Sequence, residues 1–123
     1  MPRNAHVLVV DDDEGIRELV TRVLTQEGHE VVAVGDGIAA LQAVLTATQA
    51  YDLVVTNNRM PRMGGPELVA RLRLDNPAIP IIHLDDLSRP DAPPLPADIP
   101  NLPKPFDLDR LKGELRRLLA DGA

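Results

Sequence analysis

Asp52-Leu-Val-Val-Thr-Asn-Asn-Arg-Met-Pro61 decides the fold. Leu53 to Thr56 is continuous, apolar and β-branched, the composition of a central strand covered on both faces. From Asn57 the segment runs out into a loop. Working outward, Val7-Leu-Val-Val10 is a second run of this kind, and it ends in the acidic cluster Asp11-Asp12-Asp13. Short apolar runs alternate with stretches of helical period along the rest of the chain, which is the signature of βαβ units and a parallel sheet.

The first strand is expected over 6–10. Ile16, Leu19, Val20, Val23 and Leu24 then share one face of an amphipathic helix that Gly28 stops. A second strand, 31–34, is punctuated by Gly35-Asp36-Gly37. The Ala-rich stretch 38–48 reads as a helix with Leu41, Val44 and Leu45 as its apolar stripe. Pro66 opens a third helix carrying Leu68, Val69 and Leu72, which ends before Asn76-Pro77. Residues 79–84 make a fourth strand and 99–102 a short fifth, at the sheet edge where Pro100 is tolerable. Asp107 caps a last helix with Leu108, Leu111, Leu115, Leu118 and Leu119. Between the fourth and fifth strands the rhythm breaks. Seven of the twelve prolines fall within 88–106, and no ordinary helix runs through Pro93-Pro94-Leu95-Pro96, because proline lacks the amide donor and clashes with the preceding turn. An extended connection is expected there instead of a fourth helix.

Composition narrows the function. A chain of 123 residues with 44% hydrophobic content suits one domain, 1–123, with one core. There is no cysteine, hence no disulfide framework or thiolate site. No apolar run reaches membrane-spanning length and no leader is apparent, so a cytoplasmic protein without membrane contact is expected. A net charge of −6 and only two aromatic residues, Tyr51 and Phe106, argue against a nucleic-acid surface. Eleven of the thirteen basic residues are arginine, so Lys104, one of two lysines, stands out.

In a doubly wound sheet, ligands sit at the carboxyl ends of the strands. Asp11 and Asp12 end the first strand, Asn57 the third and Asp85 the fourth, while Lys104 follows the fifth. Singly, such residues are ordinary turn and cap groups, and that is the reading for Asp13, Asp85 and Asp86. Together, in this order, they resemble the receiver domain of two-component response regulators. The resemblance rests on Val9-Val10-Asp11-Asp12-Asp13, Ile16-Arg17, Arg59-Met60-Pro61-Arg62-Met63-Gly64-Gly65 and Lys104-Pro105-Phe106, and spans nearly the whole chain. It implies a flavodoxin-like five-stranded sheet in the order 2-1-3-4-5. It also implies a divalent cation such as magnesium at Asp11, Asp12, position 57 and the Arg59 carbonyl, and a lysine, Lys104, on the phosphoryl group. The implied partners are a histidine kinase, another response regulator or an attached output domain, and a homodimer is possible.

Three positions depart from that family. Asn57 stands where the phosphorylated aspartate belongs, and a neutral amide oxygen is a far weaker nucleophile than a carboxylate. It still offers a metal an oxygen, but dipole in place of charge, so cation affinity should fall. Asp85 stands where a Ser or Thr hydroxyl is expected and would repel a phosphate. Asn101 replaces the switch aromatic. The formal charge of the pocket is nonetheless kept, with one carboxylate moved from position 57 to Asp85. Asp85 either pairs with Lys104 in place of the phosphoryl oxygens or merely caps the following turn. The leading expectation is a receiver-like regulatory module, not an enzyme, that no longer accepts phosphate. The alternatives are a true phospho-acceptor whose Asn57 is engineered or bypassed, and a small-molecule or metal-sensing pocket on the old site. Asp52 is a poor substitute acceptor, because it begins the strand. His6, His29 and His83 lack ligand spacing and read as strand-flank or surface residues.

Overall fold

The computed structural model of the protein describes residues 4–58, 62–85, 96–103 and 107–120. The elements in chain order are β1 (His6–Val10), α1 (Glu14–Gln26), β2 (Glu30–Val34), α2 (Gly37–Thr46), β3 (Leu53–Asn57), α3 (Gly65–Asp75), β4 (Ile81–Asp85), β5 (Asn101–Pro103) and α4 (Leu108–Ala120). All strand pairs are parallel and the sheet order is β2-β1-β3-β4-β5, the doubly wound order expected from the sequence. The reversal of winding falls between β1 and β3, and their carboxyl ends carry Asp11 and Asn57.

Alternation along the strands feeds two cores. Val7, Val9, Leu53, Val55, Ile82, Leu84 and Leu102 pack with Val20, Val23 and Leu24 of α1 and Leu111 and Leu115 of α4. Leu8, Val10, Val54 and Ile81 pack on the other side with Ala40 of α2 and Leu68, Val69 and Leu72 of α3. The three central strands bury nearly every residue, which is why β1 and β3 read as unbroken apolar runs.

Caps fix the helix starts. Asp13 accepts the Ile16 amide at 3.2 Å and Asp36 the Ala39 amide at 2.8 Å. Asp107 accepts the Asp109 amide at 2.8 Å, so its expected role at the start of α4 holds. Each such bond satisfies an amide that the helix cannot, and is worth about 1 kcal/mol.

Several expectations shift. Leu45 does not join the buried stripe of α2: it is 81% exposed. Helix α2 stops at Thr46, two residues early, because Ala47 turns to extended backbone (φ −67°, ψ 134°), and the last turn presents Leu45 to solvent. The fourth strand begins at Ile81 and the fifth at Asn101, each two residues later than expected. In both cases a proline lies just before the strand. Pro80 and Pro100 cannot donate to the ladder but still accept, from Val54 and His83 respectively. Ile79 and Ile99 are buried all the same, in turns whose amides bond Asn76 and Pro96. Residues 96–100 therefore form a turn, held outside by a fork of Arg73 on Asp98 with bonds of 2.9 and 2.8 Å. No helix lies between β4 and β5 among the described residues, and the prolines at 90, 93 and 94 fall outside them.

Candidate functional site

Parallel strands bring their carboxyl ends to one rim. Asp11 is completely buried there, with its amide on the Val34 carbonyl at 3.1 Å and its Oδ1 accepting the Asp13 amide at 2.9 Å. Arg17, one turn into α1, donates through Nη1 to the Asp11 carbonyl at 2.8 Å and ties the β1–α1 turn to the helix. Asp12 is exposed, and Asn57 is buried at 7% exposure.

Asn57 Nδ2 donates to Asp12 Oδ1 at 3.2 Å. An ionised carboxylate only accepts, so the nitrogen of the carboxamide is the atom that must face it. Three of the site residues expected from the sequence, Asp11, Asp12 and Asn57, thus stand together. Asp85 ends β4 beside Pro103 in register. Its pairing with Lys104, the position of Lys104 itself and the Arg59 carbonyl lie outside the described residues.

This donor set suits a divalent cation poorly. Asn57 turns its nitrogen toward Asp12 and, as a neutral amide, brings dipole in place of charge. The remaining charge comes from two carboxylates, one of which already accepts an amide. Among the described residues, no group of three or more His, Cys, Asp or Glu is arranged to hold a metal ion.

Two features of the rim were not legible in the sequence. The first is a clasp between loops. Arg62, in the β3–α3 loop, places Nε and Nη2 on Asp36 Oδ2 at 3.1 and 2.6 Å. Its backbone is left-handed (φ 71°), a conformation that costs a non-glycine residue about 1 kcal/mol or more. The Ala39 amide, then Arg62, hold the Asp36 carboxyl below the ordinary carboxylate range. A lowered folded-state pKa stabilises the fold above the ordinary value, and that contribution fades as pH falls through the folded value. Asp36→Ala is expected to cost about 1–2 kcal/mol at pH 7, mostly the cap, because Arg62 is more than half exposed. Asp36→Asn should keep most of the cap and lose less stability than the parent between neutral and acid pH. Urea unfolding at both pH values checks this, and equal acid losses would contradict it.

The second feature is His83. It is a mid-strand residue buried at 1% exposure, not the strand-flank or surface group expected. Ring Nδ1 lies 3.0 Å from Asn101 Oδ1, a hydrogen bond between neighbouring strands. Register places Thr56, His83 and Asn101 side by side across β3, β4 and β5. A polar row therefore runs from the strand of Asn57 to the position expected to carry a switch aromatic. Gly65, the first residue of α3, closes over it: a Cβ there would lie 2.8 Å from His83 Nε2 and closer still to the Asn57 carbonyl oxygen. A central strand of a parallel sheet is covered on both faces, so the place of His83 inside the expected strand 79–84 was the signal for its burial. His6 and His29 do flank strands, bonding the backbone at Gln49 and Ala5.

Comparison with known proteins agrees with this architecture. The family model for the response regulator receiver domain matches residues 7–92. Response regulator MprA of Mycobacterium sp. strain KMS is 38% identical over 116 residues, covering 92% of this chain and 50% of that protein. MprA of Mycobacterium ulcerans strain Agy99 is 35% identical over 119 residues, 94% of this chain and again 50% of the relative. The chain thus spans about half the length of the curated relatives it matches. Among solved structures, chemotaxis response regulator CheY4 of Vibrio cholerae superposes with a TM-score of 0.81 at 30% identity, covering 95% of this chain and all of that one. The receiver domain of Francisella response regulator 1452 gives 0.81 at 28% identity, over 98% and 100% of the two chains. The chain belongs to the response regulator receiver domain family of two-component signalling.

Proposed function

We propose that this chain, 1–123, is one receiver domain that regulates through protein contacts without being phosphorylated at position 57. The observation that carries the reading is the carboxamide at the acceptor position, buried and bonded to Asp12. An aspartate in that place would present an anionic oxygen for attack on phosphorus; Asn57 presents a neutral amide whose nitrogen is committed to the neighbouring acid. Magnesium is not required in this reading, and any binding at Asp11, Asp12, Asn57 and the Arg59 carbonyl is weak. Asp85 takes the place of the hydroxyl that tracks the phosphoryl group, with Lys104 as its partner. Asn101, in the place of the switch aromatic, is held to His83. The domain performs no turnover of its own.

Its partners are a histidine kinase, another response regulator or an output domain, in keeping with the response regulators it resembles, and its place is the cytoplasm. Among the described residues no helix is long and apolar enough to cross a membrane. Bypass through Asp52 is disfavoured by position: its Oδ2 accepts the His6 amide at 2.9 Å, at the opposite end of the sheet from Asn57.

The reading predicts that magnesium with a small phosphodonor such as acetyl phosphate leaves the amide NMR spectrum unchanged. Shifts spreading from the β3 rim into β5, dependent on both reagents, would overturn it.

A further inference from the structure

The face farthest from the acidic rim carries an apolar groove of about 550 Å³ between α2 and α3, near the start of the central strands. Leu41, Val44, Tyr51, Leu72 and Ile79 line it. Leu45 and Leu74 stand at its edges, 81% and 78% exposed. A single exposed leucine needs no explanation, but two beside an apolar groove form a patch. Helix α3 adds opposite charges to the same edge. Arg71 and Asp75 lie one turn apart and share a helix face with Leu74. The intrachain contact of Arg71, to Glu67 at 3.7 Å, is between two groups more than half exposed and holds it weakly.

We infer that this face docks a second copy of the chain. Protruding leucines beside a groove on one surface are self-complementary, as an isologous two-fold interface requires. With the two α3 helices antiparallel across the axis, Leu74 lies near the axis. Arg71 of each copy then meets the partner's Asp75, giving two reciprocal ion pairs. A volume of 550 Å³ would also admit a small molecule. Such a ligand would fill the groove and leave the outer faces of both leucines in water, whereas a second copy covers groove and leucines together. This inference stands apart from the proposed function, since nothing at the acidic rim enters it.

Sedimentation equilibrium of the 123-residue chain tests it. The weight-average mass is expected to rise from monomer toward twice that value between about 10 μM and 1 mM, the range of a modest interface. Leu45→Glu/Leu74→Glu, at positions already in solvent, should stay monomeric with an unchanged circular dichroism spectrum. Arg71→Glu alone and Asp75→Arg alone should each weaken association at least severalfold, and the double variant should restore it. A chain monomeric throughout, or a dimer indifferent to Leu74→Glu or to the charge exchange, would overturn the inference. A monomer that binds an apolar dye in the groove would overturn it too and assign the groove to a small molecule.

Discussion

Gly65→Ala is expected to destabilise the fold by about 2–3 kcal/mol, near the upper end for overpacking a tight site. That corresponds to a fall of roughly 10 °C in Tm for a chain of this length. The added methyl would press on the Asn57 carbonyl oxygen, which is backbone, and on His83 Nε2, which is on a buried ring. Neither can withdraw as an exposed side-chain tip could. Gly113→Ala is the control, because the same chemical change meets nothing within 4 Å on α4. A mid-helix glycine costs about 0.5–1 kcal/mol relative to alanine, so this substitution should stabilise. Thermal unfolding followed by circular dichroism compares the two. Gly65→Ala within 0.5 kcal/mol of the parent would show that α3 does not press on the β3 rim, about the error of such a measurement.

Asn57→Asp is the second large effect. It exchanges a donor–acceptor bond of 3.2 Å for two carboxylates at that separation, with Asp11 buried beside them. Like charges this close are worth about 4 kcal/mol at an effective dielectric of 20. Exposure of Asp12 and proton uptake reduce the cost to about 1–3 kcal/mol at pH 7. The sign with pH follows. Crowding raises the folded-state pKa of the carboxylate pair, so the folded variant binds more protons than the unfolded one. Its stability is therefore greatest in acid and declines as pH rises through the raised value. A divalent cation should relieve the repulsion, so magnesium is expected to raise the Tm of Asn57→Asp by several degrees and that of the parent little. Equal magnesium shifts in the two proteins would contradict the role given to the Asn57–Asp12 bond.

Most of the sheet was legible because its signals are local. The runs 7–10 and 53–56 carry the composition of buried parallel strands, and Asp13 and Asp107 announce helix starts by type and place. Asp11, Asp12 and Asn57 could be assigned to one rim from strand direction alone. What escaped depends on geometry between elements. The Asp36–Arg62 clasp joins residues 26 apart and needs a left-handed arginine, which no local pattern reports. The His83–Asn101 bond depends on the register between neighbouring strands, which no local pattern reports, and the expected strands began two residues early, at Ile79 and Ile99. Both are buried in turns, and apolar content alone does not distinguish a buried turn from a strand. Leu45 fitted the helical period of α2 but faces solvent, while Val44 and Ala47 on either side of it pack on the core.

The central claim concerns one side chain, and intact-mass spectrometry after incubation with magnesium and acetyl phosphate reads it most directly. The parent chain is expected to keep its mass, with Asn57→Asp run beside it to report whether the surrounding residues still support transfer. A covalently bound phosphoryl group on an aspartate of the unaltered protein would contradict the account.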